Sequence, residues 1–234
     1  MAKINFKKGL TDIVLYIIIF IVVQIFLTYA GAGIWAAVKG EGYQATLLAM
    51  HTGNNAILTA LTTVFSNVIT LIIFLKAKWT PLTRNYLQSK PWISLLWVAL
   101  FTLGAIIPLE FVYEQIGVEM DADTERVFAS LMKEPWGYVA IGILAPLAEE
   151  IVFRGAILRT LLDMVSKKNH WVAIFISAAA FGLIHGNKAQ FINALLMGLL
   201  LGWMYYRTKS LVPGILMHWV NNTMAYVLNN LMPQ

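Results

Sequence analysis

Two carboxylates stand side by side in this chain, Glu149 and Glu150, within the apolar run Pro146-Leu-Ala-Glu-Glu-Ile-Val-Phe-Arg154. A charged side chain at the centre of a bilayer costs roughly 2.5–3.5 kcal/mol on insertion scales, so two neighbouring acids there mark a specific contact or a reaction centre. Later apolar segments are interrupted by His185, by His218 and, one helical turn beyond it, by Asn222. Glu150 and Arg154 are four residues apart with the acid first, the favourable order for a helical ion pair, and are assigned to structure. Glu149 lies about 100° further round the helix and faces a different neighbour.

A carboxylate beside a histidine can hold a water molecule and take its proton, while two hydrogen-bond donors opposite can stabilise the oxyanion of an attacked carbonyl. Glu149 with His185, and His218 with Asn222, supply those two halves, and the reaction they describe is hydrolysis of an amide. Alternatives stand beside this reading. Glu149 also fits a protonated carboxyl donating one hydrogen bond between helices, and each histidine fits an interhelical bonding role. One carboxylate and two histidines also make a legitimate three-ligand set for zinc. The chain has no G-x-S-x-G elbow and no H-E-x-x-H motif, and without cysteine it has no thiol nucleophile.

The elements that position these groups read as membrane helices. Of 234 residues 59% are hydrophobic and only 12% charged, and the mean hydropathy is +0.70; soluble domains carry about 25% charged residues. About 20 apolar residues cross a bilayer once. Apolar runs predict seven spans: Ile13–Val38, Ala56–Leu75, Trp92–Pro108, Gly137–Leu158, Trp171–Ile184, Ala189–Tyr206 and Leu211–Leu231. The expected fold class is thus all-α, a polytopic transmembrane bundle in one domain over 1–234, with three spans in 1–112 and the polar constellation in 136–231.

With the amino terminus in the cytoplasm, twelve of the 17 basic residues fall on that side, among them Lys3, Arg84, Lys90, Arg159, Lys167 and Lys209. The opposite side receives Lys39, Arg126, Lys133 and Lys188, and an eighth crossing would spoil the asymmetry. The net charge of +5 is therefore topological, since the basic residues form no stripe suited to nucleic acid. An acidic loop, Tyr113–Trp136, with Glu114 and Glu119, is expected to carry a short helix resting at the interface through Val127, Phe128, Leu131 and Met132. Trp92, Trp136, Trp171, Tyr205 and Tyr206 are expected as interfacial anchors. Ala178 to Gly182, Gly198 and Gly202 are expected to allow close helix approach.

Depth connects the polar groups. Helices four and five form a hairpin whose turn centres near Lys167, with Glu149 eighteen residues before it and His185 eighteen after it, so the two are level in an antiparallel pair. Pro146 cannot donate a backbone hydrogen bond and is expected to free a carbonyl near Gly142.

Glu149-Glu150-x-x-x-Arg154, Phe181-x-x-x-His185 and His218-x-x-x-Asn222 resemble, in order and spacing, the three-motif signature of the CAAX prenyl protease and bacteriocin-processing (CPBP, or Abi) family. The resemblance covers roughly Trp136 to Leu231. It implies an intramembrane endopeptidase in which Glu149 and His185 activate water, His218 and Asn222 form the oxyanion hole, and Glu150 and Arg154 support them. It implies peptide or protein substrates, either prenylated C-a-a-X proteins or bacteriocin and other peptide precursors. Relatives have been labelled metalloproteases, yet the best-understood eukaryotic ones look metal-independent, so the expected cofactor is none, with zinc as the alternative. Membrane lipid is an expected partner and nucleic acid is not; the sequence leaves the oligomeric state open. The absence of an added targeting segment favours a bacterial plasma membrane. Two other functions compete: a non-catalytic immunity or scaffold protein of the same family, and a proton-coupled transporter, which the early half disfavours because it has no ionisable residue comparable to Glu149.

Overall fold

The computed structural model describes residues 5–82, 92–117 and 121–231. Lys3, Arg84, Lys90 and Glu119 lie outside the described residues, as does the side chain of Glu114. Among the described residues there are nine helices and no strand. They are α1 (Phe6–Lys39), α2 (Tyr43–His51), α3 (Ala56–Lys76), α4 (Ile93–Ile116), α5 (Ala122–Met132), α6 (residues 135–164), α7 (His170–Leu183), α8 (Lys188–Thr208) and α9 (Val212–Leu231). The seven predicted spans fall on α1, α3, α4, α6, α7, α8 and α9, with α2 and α5 between them.

Length and composition alone make α1, α3 and α8 able to cross a membrane, and Ile93–Leu109 is a shorter apolar stretch. The outside of the bundle is apolar: Phe26 on α1 and Ile107 on α4 are 65% and 77% exposed. A surface of that kind suits lipid, where backbone groups must be satisfied within helices. This is a multi-pass membrane protein.

The helix at the centre is α6. All nine residues from Glu150 to Leu158 are buried, as expected of a helix enclosed on every side. Phe153 meets the edge of Phe20 on α1 at 5.8 Å and Phe181 on α7 at 5.1 Å. Two stretches of α6, Tyr138–Leu144 and Glu150–Leu158, are wound wide, with i to i+5 hydrogen bonding. Such turns disturb the backbone ladder and leave carbonyls for other donors. Neighbouring side chains take them: Thr80 donates to the Ile151 carbonyl at 2.7 Å and Ser177 to that of Phe153 at 3.0 Å. Gly155 makes the first contact possible, because a Cβ there would lie 2.2 Å from Thr80 Cγ2.

Small residues bring α7 and α8 together as their sequence suggests. A Cβ on Gly198 would lie 2.9 Å from the Ala178 Cβ, and one on Gly202 would lie 2.9 Å from Ile174 Cγ2. Gly198→Val is expected to force these helices apart and cost about 1–3 kcal/mol, the usual penalty for overfilling a packed contact. A lowered midpoint of thermal unfolding in detergent would register it.

The amphipathic helix expected in the acidic loop is α5, but its apolar face packs onto protein. Leu131 and Met132 are buried, and Asn230 of α9 donates to the Met132 carbonyl at 3.0 Å. Asp121 caps α5, and its hydrogen bonds from Thr124 hold the carboxyl below its ordinary pKa. That capping contribution is present above the unfolded-state pKa and is lost as pH falls through the folded one. Trp92, Trp136 and Trp171 are exposed. Tyr206 differs, since it stacks on His170 with ring centres 4.2 Å apart.

Candidate active site

Pro146 shapes the first part of the site. In the wide turn before it, the Ala145 N–H bonds back to the Ala140 carbonyl, five residues away. In that register the carbonyl of Ile141 would look to the N–H of residue 146, which proline lacks. The freed carbonyl is thus at Ile141, one residue before the position that ordinary helical counting gives. Asn222 of α9 fills the vacancy, donating Nδ2–H to it at 2.8 Å. Asn221 in turn donates to Asn222 Oδ1 at 3.3 Å, which fixes the amide's orientation.

Glu150 and Arg154 form a buried ion pair, with Nη1 to Oε1 at 2.9 Å and both side chains only 1% exposed. The guanidinium also lies 4.6 Å over the face of Phe181, an orientation the ring quadrupole favours. His218 comes between the two acids. Its Nδ1 donates to Glu150 Oε1 at 3.3 Å, and its Nε2 stands 3.6 Å from Glu149 Oε2. Gly214, one turn earlier on α9, lets this approach happen, because a Cβ there would lie 3.0 Å from Glu150 Oε2. Glu149 is the more open acid, its side chain 16% exposed.

His185 follows the last turn of α7. Its Nδ1 lies 2.8 Å from the Phe181 carbonyl, which can only accept, so Nδ1 carries the proton and a neutral ring leaves Nε2 bare. The ring meets Phe181 edge to face at 5.0 Å, and His218 meets the same ring at 6.0 Å. Phe181 is therefore the spacer about which Arg154, His185 and His218 are arranged. Among the described residues no hydrogen bond or ion pair joins Glu149 to His185; the direct partner of Glu149 is His218.

Sequence reasoning paired Glu149 with His185 and His218 with Asn222, and did not anticipate a histidine bridging two acids. It also passed over Tyr138. That hydroxyl accepts from Trp219 Nε1 at 3.1 Å and lies 3.0 Å from Thr223 Oγ1, so it ties α6 to α9 on either side of Asn222. The signal available was Gly142, one turn after Tyr138: a Cβ there would come within 2.4 Å of the tyrosine ring. Among the described residues no three His, Cys, Asp or Glu side chains gather as a metal site.

The buried Glu150 and His218, with the more open Glu149 and His185, define a class of protein with a polar cluster within a bundle of membrane helices. The comparisons with known proteins are more specific. Residues 131–224 match the family model described as Type II CAAX prenyl endopeptidase Rce1-like, and the three motifs all lie within that stretch. The chain is also similar to the protein named "Putative membrane peptidase YdiL" of Bacillus subtilis (strain 168), with 26% identity over 126 residues, 51% of this chain and 50% of that protein. The chain thus spans about half the length of the curated relative it matches. No solved structure matches it.

Proposed function

We propose that the chain is an intramembrane endopeptidase that hydrolyses a peptide bond with water activated by Glu149 and His185. The observation that carries this reading is the different fate of the two acids. Glu150 is held by Arg154 and His218 in the buried interior, whereas Glu149 is partly open and faces His218 Nε2. A water between the Glu149 carboxylate and the bare Nε2 of His185 would lose a proton to Glu149 as its oxygen attacks the substrate carbonyl. The tetrahedral oxyanion would be met by the second Nδ2–H of Asn222 and by Nε2–H of His218 in its imidazolium form, with both ring nitrogens protonated and Nδ1–H held by Glu150. Proton return from Glu149 to the leaving nitrogen completes the cleavage.

In this reading the reaction uses no metal, with zinc as the alternative cofactor. Substrates in this reading are membrane-associated peptides, either C-a-a-X-type proteins or bacteriocin and other peptide precursors, and the setting is a bacterial plasma membrane with the amino terminus cytoplasmic.

The test is a comparison of new peptide termini after incubating membrane peptides with purified protein in vesicles. Wild-type protein should generate discrete termini with or without a chelator, and His185→Ala should lower their rate of appearance by about 100- to 10,000-fold, the usual span of a lost acid–base group. Stoichiometric zinc whose removal abolishes cleavage would overturn the metal-free mechanism. Absence of any cleavage, with cells still protected by the His185→Ala variant, would make the chain an immunity or scaffold protein instead.

A further inference from the structure

A cavity of about 760 Å³ lies between α3, α6, the end of α8 and the start of α9. Leu147, Ile151, Gly155, Arg159 and Leu162 line it from α6 at helical spacing. Glu149 lies midway between Leu147 and Ile151 in sequence and so turns to the other side of that helix. The cavity is therefore separate from the candidate active site.

Its two ends differ in chemistry. Toward the middle of α6 the walls are aliphatic, with Leu147 and Ile151 facing Ile215 of α9. From Leu147 to Gly155 this apolar wall runs about 12 Å at the helical rise, comparable to the roughly 15 Å depth of one leaflet's hydrocarbon. At the other end stand Arg159, Lys209 and Asp163, two cations against one anion. Arg159 is anchored by donating to the carbonyls of Gly155 at 3.0 Å and Trp79 at 2.9 Å, which accounts for two of its five N–H donors. Lys209 caps α8 with φ at 53°, and its ammonium sits 4.2 Å from the Tyr206 ring. That ring is itself braced by His170. Both cations are thus held in place at the rim of an apolar slot, at the end of the bundle where Lys167 and Lys168 also lie.

We propose that this cavity binds an anionic phospholipid, with one acyl chain along Leu147, Ile151 and Ile215 and the headgroup phosphate at Arg159 and Lys209. The apolar walls exclude a freely soluble anion as the fitting ligand, and the cationic rim distinguishes a phosphate bearing net negative charge from a zwitterionic headgroup.

The experiment is native mass spectrometry of the full chain released from nanodiscs containing equal phosphatidylglycerol and phosphatidylcholine. One phosphatidylglycerol should be retained, favoured at least tenfold over phosphatidylcholine, and excess inorganic phosphate should not displace it. Lys209→Gln should lower that preference at least threefold, and Leu162→Trp, which fills the slot, should lower retention of both lipids. Helix content by circular dichroism identifies any variant that has not folded, and the wild-type preference decides the matter without either variant. Equal retention of the two lipids, displacement by phosphate alone, or wild-type retention in both folded variants would overturn the proposal. None of these readouts uses peptide cleavage, so the lipid site and the peptidase reading fail independently.

Discussion

Arg154→Met should lower the stability of the folded protein by about 3–5 kcal/mol, the cost of removing one partner of a buried ion pair. Glu150 is wholly buried, and its Oε1 meets both Arg154 and His218. Its Oε2 is also buried and has no hydrogen-bond partner among the described residues. Deleting the arginine therefore leaves a carboxylate whose remaining named donor is one histidine, in a medium that cannot solvate it. The loss should appear as reduced recovery of folded protein and an early thermal transition in detergent. Arg154→Met combined with Glu150→Gln should recover part of it, because the double variant removes the stranded charge. Equal destabilisation by the single and double variants would mean that packing of the guanidinium over Phe181 dominates over its charge.

Much of this arrangement was legible in the sequence because it depends on spacing along one helix. The acid-first order of Glu150 and Arg154 determines their contact, and Phe181 four residues before His185 determines the bond that fixes the imidazole. The small residues of α7 and α8 likewise announce a close crossing. What sequence could not give was rotation and register between helices. The freed carbonyl moved from Gly142 to Ile141 because the turn before Pro146 is wound wide, and the winding is a property of the packed helix. The bridging position of His218 depends on how closely α9 approaches α6 at Gly214, which no count of residues along either helix supplies.

The same limit explains α5. Its apolar face is plain in the sequence, but the choice between headgroups and protein depends on the residues it meets. Gly137 decides part of it: a Cβ there would fall 1.8 Å from the Leu131 carbonyl oxygen, so the chain folds back tightly enough to press α5 onto the bundle. The nine-residue α2 passed unnoticed because it is too short to span and follows no long apolar run.

Glu149→Gln should abolish most peptide hydrolysis while leaving the fold intact, and these two results together separate the acids. Glutamine keeps the size of the side chain and its ability to face His218 Nε2 across 3.6 Å, but it cannot take a proton from water. If Glu149 is the general base, kcat should fall by about 100- to 10,000-fold, with thermal stability close to wild type because this acid is the more exposed one and lacks an arginine partner. Glu150→Gln should show the reverse emphasis, a loss of stability first, with activity falling because His218 loses the carboxylate that orients it. The double variant Glu149→Gln with His185→Ala should be little slower than either single variant, since groups that activate one water act as a unit and their effects do not multiply. Multiplicative losses would place the two residues in different steps, and full activity in Glu149→Gln would remove the proposed base, leaving this acid as an interhelical contact to His218.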